Sequence, residues 1–413
     1  RAVEVMHLLC IVLIEASGEV RNHTKEKTNH PSALLHSFSY LCERLTQNIM
    51  FLKLFYLQTL PWLPATVRKM AVLLLIFLPA LQSAAKRTDE FTVLQWNIWQ
   101  EGTMVKGGYD AIVDEIVRLQ PDFVTLSEVR NYKNTNFTLR LTNDLQKRGL
   151  QYYSFYSYDT GLLSRYPITD SLTVFPCEGD HGSIYRLLCE AKGHRFAVYT
   201  AHLDYQNDAY YDVRGYSGVD WTEIPIPTSA EEVLRRSDIS LRDDAIALFI
   251  KQAEKDEKAG YNIILGGDFN EPSHLDWTAE TANLYDHNGL VIPWTVTTML
   301  EKAGFSDAYR TYYPNIVKYP GFTYPSDNPD VEVKRLTWAP KADERDRIDY
   351  LFLKGKGIKI KDCRIFGPEK SIAKSVRTPN PMKENFITPL GIWPTDHKGV
   401  WMKIVLPKAS KKK

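Results

Sequence analysis

The sequence predicts an α/β fold in which mixed sheets pack face to face and helices lie outside them. Two observations carry this. The first is the element order: strand, helix, strand, helix, then several hairpins, then helix and strand, a loop, and late strands again. That order lacks the regular alternation of a doubly wound sheet. The second is composition. With 44% apolar and 24% charged residues, the chain has the make-up of a globular protein, which excludes wholesale disorder, collagen and a multi-span membrane protein.

The elements follow in order. Phe91 to Asn97 alternates apolar residues with Thr and Gln, a strand pattern. Tyr109, Ile112, Val113, Ile116 and Val117 recur at helical spacing, so residues 109–120 form a helix that stops before Pro121. Asp122 to Ser127 is a second strand, and Phe137 to Leu150 a weakly periodic helix. Two or three short strands lie between Tyr152 and Val174. Ser183 to Ala191 and Arg195 to Leu203 flank Lys192-Gly193-His194, a hairpin signal. Ser240 and Asp243 have the spacing of a helix-start box before Ala245, Ile246, Phe249 and Ile250. Asn262 to Leu265 is an apolar strand ending at Gly266-Gly267. Leu351 to Leu353, Ile358 to Ile365 and Gly399 to Leu406 supply the late strands.

The chain of 413 residues begins unevenly. Residues 1–49 show no sustained period. Ala71 to Leu81 is an apolar run too short to span a bilayer. Arg68 and Lys69 precede it, and Ser83 and Ala85 follow at the positions a signal peptidase reads. These features predict a signal peptide at 70–85, an upstream or over-extended leader at 1–69, translation from Met50 or Met70, and a mature domain of 86–413 exported to a periplasm or the extracellular space. Residues 1–85 hold 8 Lys+Arg and 5 Asp+Glu, so the whole-chain charge of +1 becomes −2 for the mature part, which disfavours tight binding to a nucleic-acid backbone. Three cysteines remain, Cys177, Cys189 and Cys363; export permits a Cys177–Cys189 disulfide, with three unpaired thiols the alternative. The lysine-rich end, Lys408 and Lys411 to Lys413, reads as a solvated tail.

Polar residues gather where strands stop, which is where sites form on such sheets. Asn97 closes the first strand and suits either a turn or a ligand. Glu128 closes the second, as a hard-cation ligand or a salt-bridge partner of Arg130. In Gly266-Gly267-Asp268-Phe269-Asn270 the carboxylate and the amide are two apart, so extended backbone aims both one way, and the glycines allow a close approach. An Asp-Asn turn is the alternative. Asp349 shares a strand face with Leu351 and Leu353 and needs a buried partner, for which His397 in Thr395-Asp396-His397 is the natural choice. His202 ends another strand. Serine and cysteine nucleophile motifs, Walker loops and His-Glu-x-x-His are absent from the sequence, which leaves metal-assisted phosphoester chemistry as the reading of the set.

The series Trp96-Asn97, Ser127-Glu128-Val129, Gly267-Asp268-Phe269-Asn270, Arg347-Ile348-Asp349-Tyr350 and Thr395-Asp396-His397 resembles the endonuclease/exonuclease/phosphatase superfamily over about residues 90–406. The resemblance implies a four-layer α/β-sandwich with a divalent ion in a cleft at one end: Mg²⁺, with Mn²⁺ or Ca²⁺ as alternatives. It implies that Glu128, Asn97 and Asp396 attend the metal, that Asp268 orients or deprotonates the attacking water, and that Asn270 steadies the phosphate. It implies that His397, oriented by Asp349, binds the phosphate, and that His202 serves the leaving group. The inositol 5-phosphatase pattern departs at Glu271-Pro272-Ser273-His274, and Arg130 resembles a deoxyribonuclease position facing nucleic acid. Tyr205, Tyr210, Tyr211, Tyr216 and Trp221 crowd one long loop, 204–238, which suits stacking or a small core of its own. His274 and Trp277 read as further pocket walls, and Tyr205 as a substrate contact. The expectation is a monomeric enzyme acting on a small or lipid-linked phosphate ester, without a membrane span in its mature form. A secreted nuclease is the alternative, and a binding protein without catalysis is disfavoured because every expected catalytic residue is present.

Overall fold

The structure is a computed structural model, and it describes residues 88–380 and 385–409. The expected leader, signal peptide and last lysines lie outside those residues. Thirteen strands are described, beginning with β1 (Thr88–Asn97), β2 (Phe123–Val129), β3 (Asp159–Ser164), β4 (Ile168–Phe175), β5 (Gly182–Ala191), β6 (His194–Leu203) and β7 (Asn262–Asp268). They continue with β8 (Ser306–Asp307), β9 (Asp349–Lys354), β10 (Lys359–Phe366), β11 (Ser371–Ala373), β12 (Val376–Thr378) and β13 (Gly399–Pro407). The helices are α1 (Gly108–Leu119), α2 (Phe137–Lys147), α3 (Ala209–Asp212), α4 (Ala230–Ser237), α5 (Arg242–Lys258), α6 (Thr295–Lys302) and α7 (Ala308–Tyr312).

One sheet runs β10-β13-β1-β2-β3 and the other β4-β5-β6-β7-β9-β8. Phe91, Val93, Phe123 and Leu162 of the first sheet meet Phe196, Val198, Ile264 and Leu351 of the second in a central apolar core. The outer face of the first sheet buries Leu94, Trp96, Val124 and Leu126 against Ile112 and Ile116 of α1 and Leu141 of α2. The second sheet buries Ala197, Tyr199, Ile263 and Leu265 against Ile246 and Phe249 of α5 and Leu300 of α6. Helix, sheet, sheet, helix is the expected four-layer sandwich. Strands apolar on both faces are what such double cover requires.

Topology gathers the polar strand ends at one edge. β1 runs parallel to β2 and β6 parallel to β7, so Asn97, Glu128, His202 and Asp268 all come from carboxyl ends. β9 and β13 run antiparallel to their neighbours and contribute their starts, Asp349 and the residues before Gly399. His202, Asp268 and Asp349 are register partners on three adjacent strands. Ser127 Oγ ties the two sheets together there, donating to the Ala201 carbonyl at 3.1 Å and accepting from the Asp268 N–H at 3.2 Å.

Several expectations change. β7 runs through the glycine pair to Asp268 instead of stopping at it. A Cβ on Gly266 would lie 2.2 Å from Thr125 Oγ1 of the facing sheet, and one on Gly267 2.5 Å from the Ala201 carbonyl. The close approach is therefore the facing sheet at Gly266 and the neighbouring strand β6 at Gly267. Ser240 does not cap α5, whose N-cap is Leu241; its hydroxyl closes α4 by donating to the Ser237 carbonyl at 2.8 Å. The 204–238 segment carries α3 and α4 and builds a satellite core with Trp277, Trp294 and Tyr324. Cys177, Cys189 and Cys363 are free thiols, so the Cys177–Cys189 staple does not form. Cys189 points into the core between the sheets.

Candidate active site

The strand ends open into a cleft of about 320 Å³ whose wall includes Glu128, Arg130, His202, Tyr205, Asp268, Asn270, Asp396 and His397. Asn97 sits beneath it. Its amide nitrogen donates to Glu128 Oε1 at 3.0 Å and to Asp268 Oδ2 at 2.9 Å, while its oxygen accepts the Trp99 N–H at 2.9 Å. Asn97 thus bridges two carboxylates through its nitrogen. Glu128 also accepts the Gln100 N–H at 2.9 Å, and its backbone has φ 67°, at a register shift between β2 and β3. A left-handed non-glycine residue costs about 1–3 kcal/mol and persists where the surroundings hold a side chain for use.

Asp268 is the centre. Asn270 N–H donates to its Oδ1 at 3.1 Å, and the Nε2 atoms of His202 and His397 stand 3.9 and 3.7 Å from its Oδ2. Burial raises its pKa, His397 pulls it down, Asp349 raises it and His202 lowers it again. Asn270 reaches the site from a left-handed backbone, φ 48°, rather than from extended chain. Its amide donates to the Leu203 carbonyl at 3.0 Å and lies 3.2 Å from His202 Nε2.

Each histidine has a carboxylate behind it. His397 Nδ1 is 3.0 Å from Asp349 Oδ2, and His202 Nδ1 is 3.0 Å from both oxygens of Asp159. Burial works against charge on either ring, but the aspartates outweigh it: His202 is pushed up to about 9 and His397 to about 10. With Nδ1 bound in each case, Nε2 is the ring nitrogen left to the cleft, and in His202 it meets the Asn270 amide nitrogen at 3.2 Å. Tyr324 packs its ring on His397 at 4.7 Å.

The donor set suits a hard cation. Burial raises Asp396 to about 7, against His397 and reinforced by the charge of Glu128. Its carboxylate has a long 3.4 Å contact from Thr395 Oγ1, and neither Glu128 nor Asp396 is ion-paired to Lys or Arg among the described residues. Ligand atoms of Asp268, Asp349 and His397 also lie within 4.8 Å of one another. In that trio Asp349 Oδ2 meets His397 Nδ1, while Asp349 Oδ1 is buried with no hydrogen-bond partner among the described residues; Glu128 and Asp396 are the further carboxylates, beside Asp268, that line the cleft next to it.

Arg130 lines the cleft but is engaged by Asp159 at 3.2 Å and Asp180 at 2.5 Å. Tyr205 lines it too, its hydroxyl donating to Asp180 at 3.2 Å. His274 and Trp277 are not walls. His274 faces α6, with Thr297 Oγ1 at 2.8 Å and Glu301 at 3.0 Å. Trp277 is fully buried, stacked 3.7 Å over His287 and donating to Asp346 at 3.0 Å. Both follow the Asp268-Phe269-Asn270 loop only until the chain turns into the satellite core.

Sequence reasoning passed over Asp159, Asp208, Tyr324 and Trp338. Asp159 had a signal, a carboxylate opening the apolar run Gly161-Leu162-Leu163; Trp338 sits in a segment with no periodic pattern.

A sequence model of the Endonuclease/Exonuclease/phosphatase family matches residues 94–397. The uncharacterized protein F14F9.5 of Caenorhabditis elegans is 30% identical over 281 residues, 67% of this chain and 83% of its own length. Similar solved structures include D. rerio TDP2 complexed with single strand DNA product, at 16% identity and TM-score 0.44 over 76% of this chain and 99% of that one. The human nocturnin catalytic domain with bound sulfate anion is another, at 14% identity and TM-score 0.41 over 77% and 97%.

Proposed function

Since the chain belongs to the endonuclease/exonuclease/phosphatase family, a family of divalent-metal-dependent phosphoric ester hydrolases, we propose that it hydrolyses a small or lipid-linked phosphate ester after export. The observation that carries the substrate reading is the charge of the cleft. Five carboxylates, Glu128, Asp180, Asp208, Asp268 and Asp396, line it against charged His202 and His397 and one arginine, Arg130, already paired with two aspartates. A groove that tracks a nucleic-acid backbone needs the opposite balance.

The residues divide the work. Glu128 and Asp396 would hold the cation, for which Mg²⁺ is the proposed ion. When bound, the cation supplies Lewis-acid stabilisation of charge on the phosphate oxygens. Asp268, held by Asn97 and the Asn270 N–H, orients the water and accepts its proton. Charged His397 donates from Nε2 to a phosphate oxygen, and Asn270 steadies the same group. Charged His202 gives its Nε2 proton to the leaving oxygen, with Asp159 holding the ring.

Purified protein with Mg²⁺ should turn over small or lipid phosphate esters faster than plasmid DNA or RNA. Rapid DNA cleavage with no ester turnover would establish the nuclease alternative instead. Export rests on the basic, apolar and small-residue order of 68–85. Among the described residues no helix is long and apolar enough to cross a membrane. Amino-terminal sequencing of secreted protein should begin at or near Lys86; a start far upstream would refute the signal peptide.

A further inference from the structure

One wall of the cleft plays no part in the chemistry above, and it is aromatic. Trp338, 52% exposed, stacks on Trp221 at 5.0 Å and 25°. Trp221 meets the ring of Tyr211 edge-on at 4.8 Å, and all three line the same cleft as His397. The shelf is braced from behind by Glu344, a carboxylate with no solvent exposure. Glu344 accepts the Trp338 N–H at 3.0 Å, the Ala339 N–H at 3.2 Å, the Tyr211 hydroxyl at 3.1 Å and the Thr337 hydroxyl. One buried acid thus fixes the Trp338 loop to the 204–238 segment. Lys341 N–H adds a bond to the Tyr216 hydroxyl at 3.2 Å across the same seam.

An indole face half open to solvent at the mouth of a catalytic cleft costs hydration unless something covers it. Its exposed side is flat, and a flat partner gains most from it. We propose that Trp338 and Trp221 form a subsite that stacks a ring on the organic substituent of the ester, and that Glu344 is its positioning residue. The substrate class is a phosphodiester of a ring-bearing alcohol. A sugar ring and a nucleobase share this chemistry as sources. The inference rests on the phosphoesterase reading.

The test uses methyl phosphodiesters of methanol, glucose, thymidine and choline, their hydrolysis followed by ³¹P NMR, with the full-length protein and Mg²⁺. One of the ring esters should show a KM about tenfold below the dimethyl ester, as expected for one stacked ring. The better ring identifies the source. W338A should erase that advantage through KM, and E344Q should raise the ring-ester KM more than it lowers kcat. If E344Q fails to fold, W338A, at an exposed position, carries the test alone. Equal KM values for ring and dimethyl esters overturn the shelf while leaving the phosphoesterase reading intact, and so does a choline ester preferred to both rings. If no ester is hydrolysed, the phosphoesterase reading falls. The shelf is then decided by quenching of tryptophan fluorescence with thymidine 5′-phosphate and glucose 6-phosphate: quenching lost in W338A supports it, and identical titrations of wild type and W338A overturn it.

Discussion

Two buried histidines face Asp268, and each owes its charge to an aspartate behind it. For His202 that aspartate is Asp159, itself held below the usual carboxylate range: burial opposes its charge, but His202 and Arg130 prevail. A histidine raised from 6.5 to about 9 or 10 contributes stability that is complete below pH 6.5 and lost as pH rises through those values. The same protons serve the reaction, so activity should persist to about pH 9 and fall beyond it. Asp159→Asn leaves burial as the main force on His202 and should move the alkaline limb of kcat/KM toward acid by about one unit or more. An unmoved limb would mean that His202 is not the group that titrates. The sequence alone paired His397 with Asp349, because a buried strand aspartate needed a partner. It did not pair His202 with Asp159, because that contact spans two sheets and no local pattern announces it.

At the scale of elements, the glycine pair in β7 shows how one motif carries two meanings. From sequence, Gly266-Gly267 looked like a turn and room for a close approach beside Asp268. In the fold Gly266 makes room for the facing sheet and Gly267 for the neighbouring strand β6. Gly266→Ala forces a methyl to 2.2 Å from Thr125 Oγ1 and should destabilise the protein by about 1–3 kcal/mol, read by urea unfolding. Stability unchanged from wild type would show that the sheets can part there without cost. The long strands and the helices α1 and α5 were legible because their apolar residues repeat at fixed spacing, and α2 more weakly so. α6 was not, since Thr295, Val296, Thr297 and Thr298 are β-branched residues that favour strand. α3 and α4 were hidden in a segment whose aromatic crowding suggested a loop. That segment turned out to be both of the things it could be, a small core around Trp277 and Trp294 and an aromatic wall of the cleft.

For the molecule as a whole, two sheets bring six chain segments, distant in sequence, to one edge, and the register of β6, β7 and β9 sets His202, Asp268 and Asp349 side by side. The central claim is that this edge hydrolyses phosphate esters with a divalent cation, Asp268 handling the water and His397 the phosphate. The most direct measurement is turnover of a small phosphodiester with Mg²⁺ and with chelator, by wild type, Asp268→Asn and His397→Ala. The account predicts turnover that chelator abolishes and Mg²⁺ restores, with each variant slower by about 10²-fold or more at unchanged fold by circular dichroism. Chelator-resistant turnover, or variants that keep the wild-type rate, would contradict it.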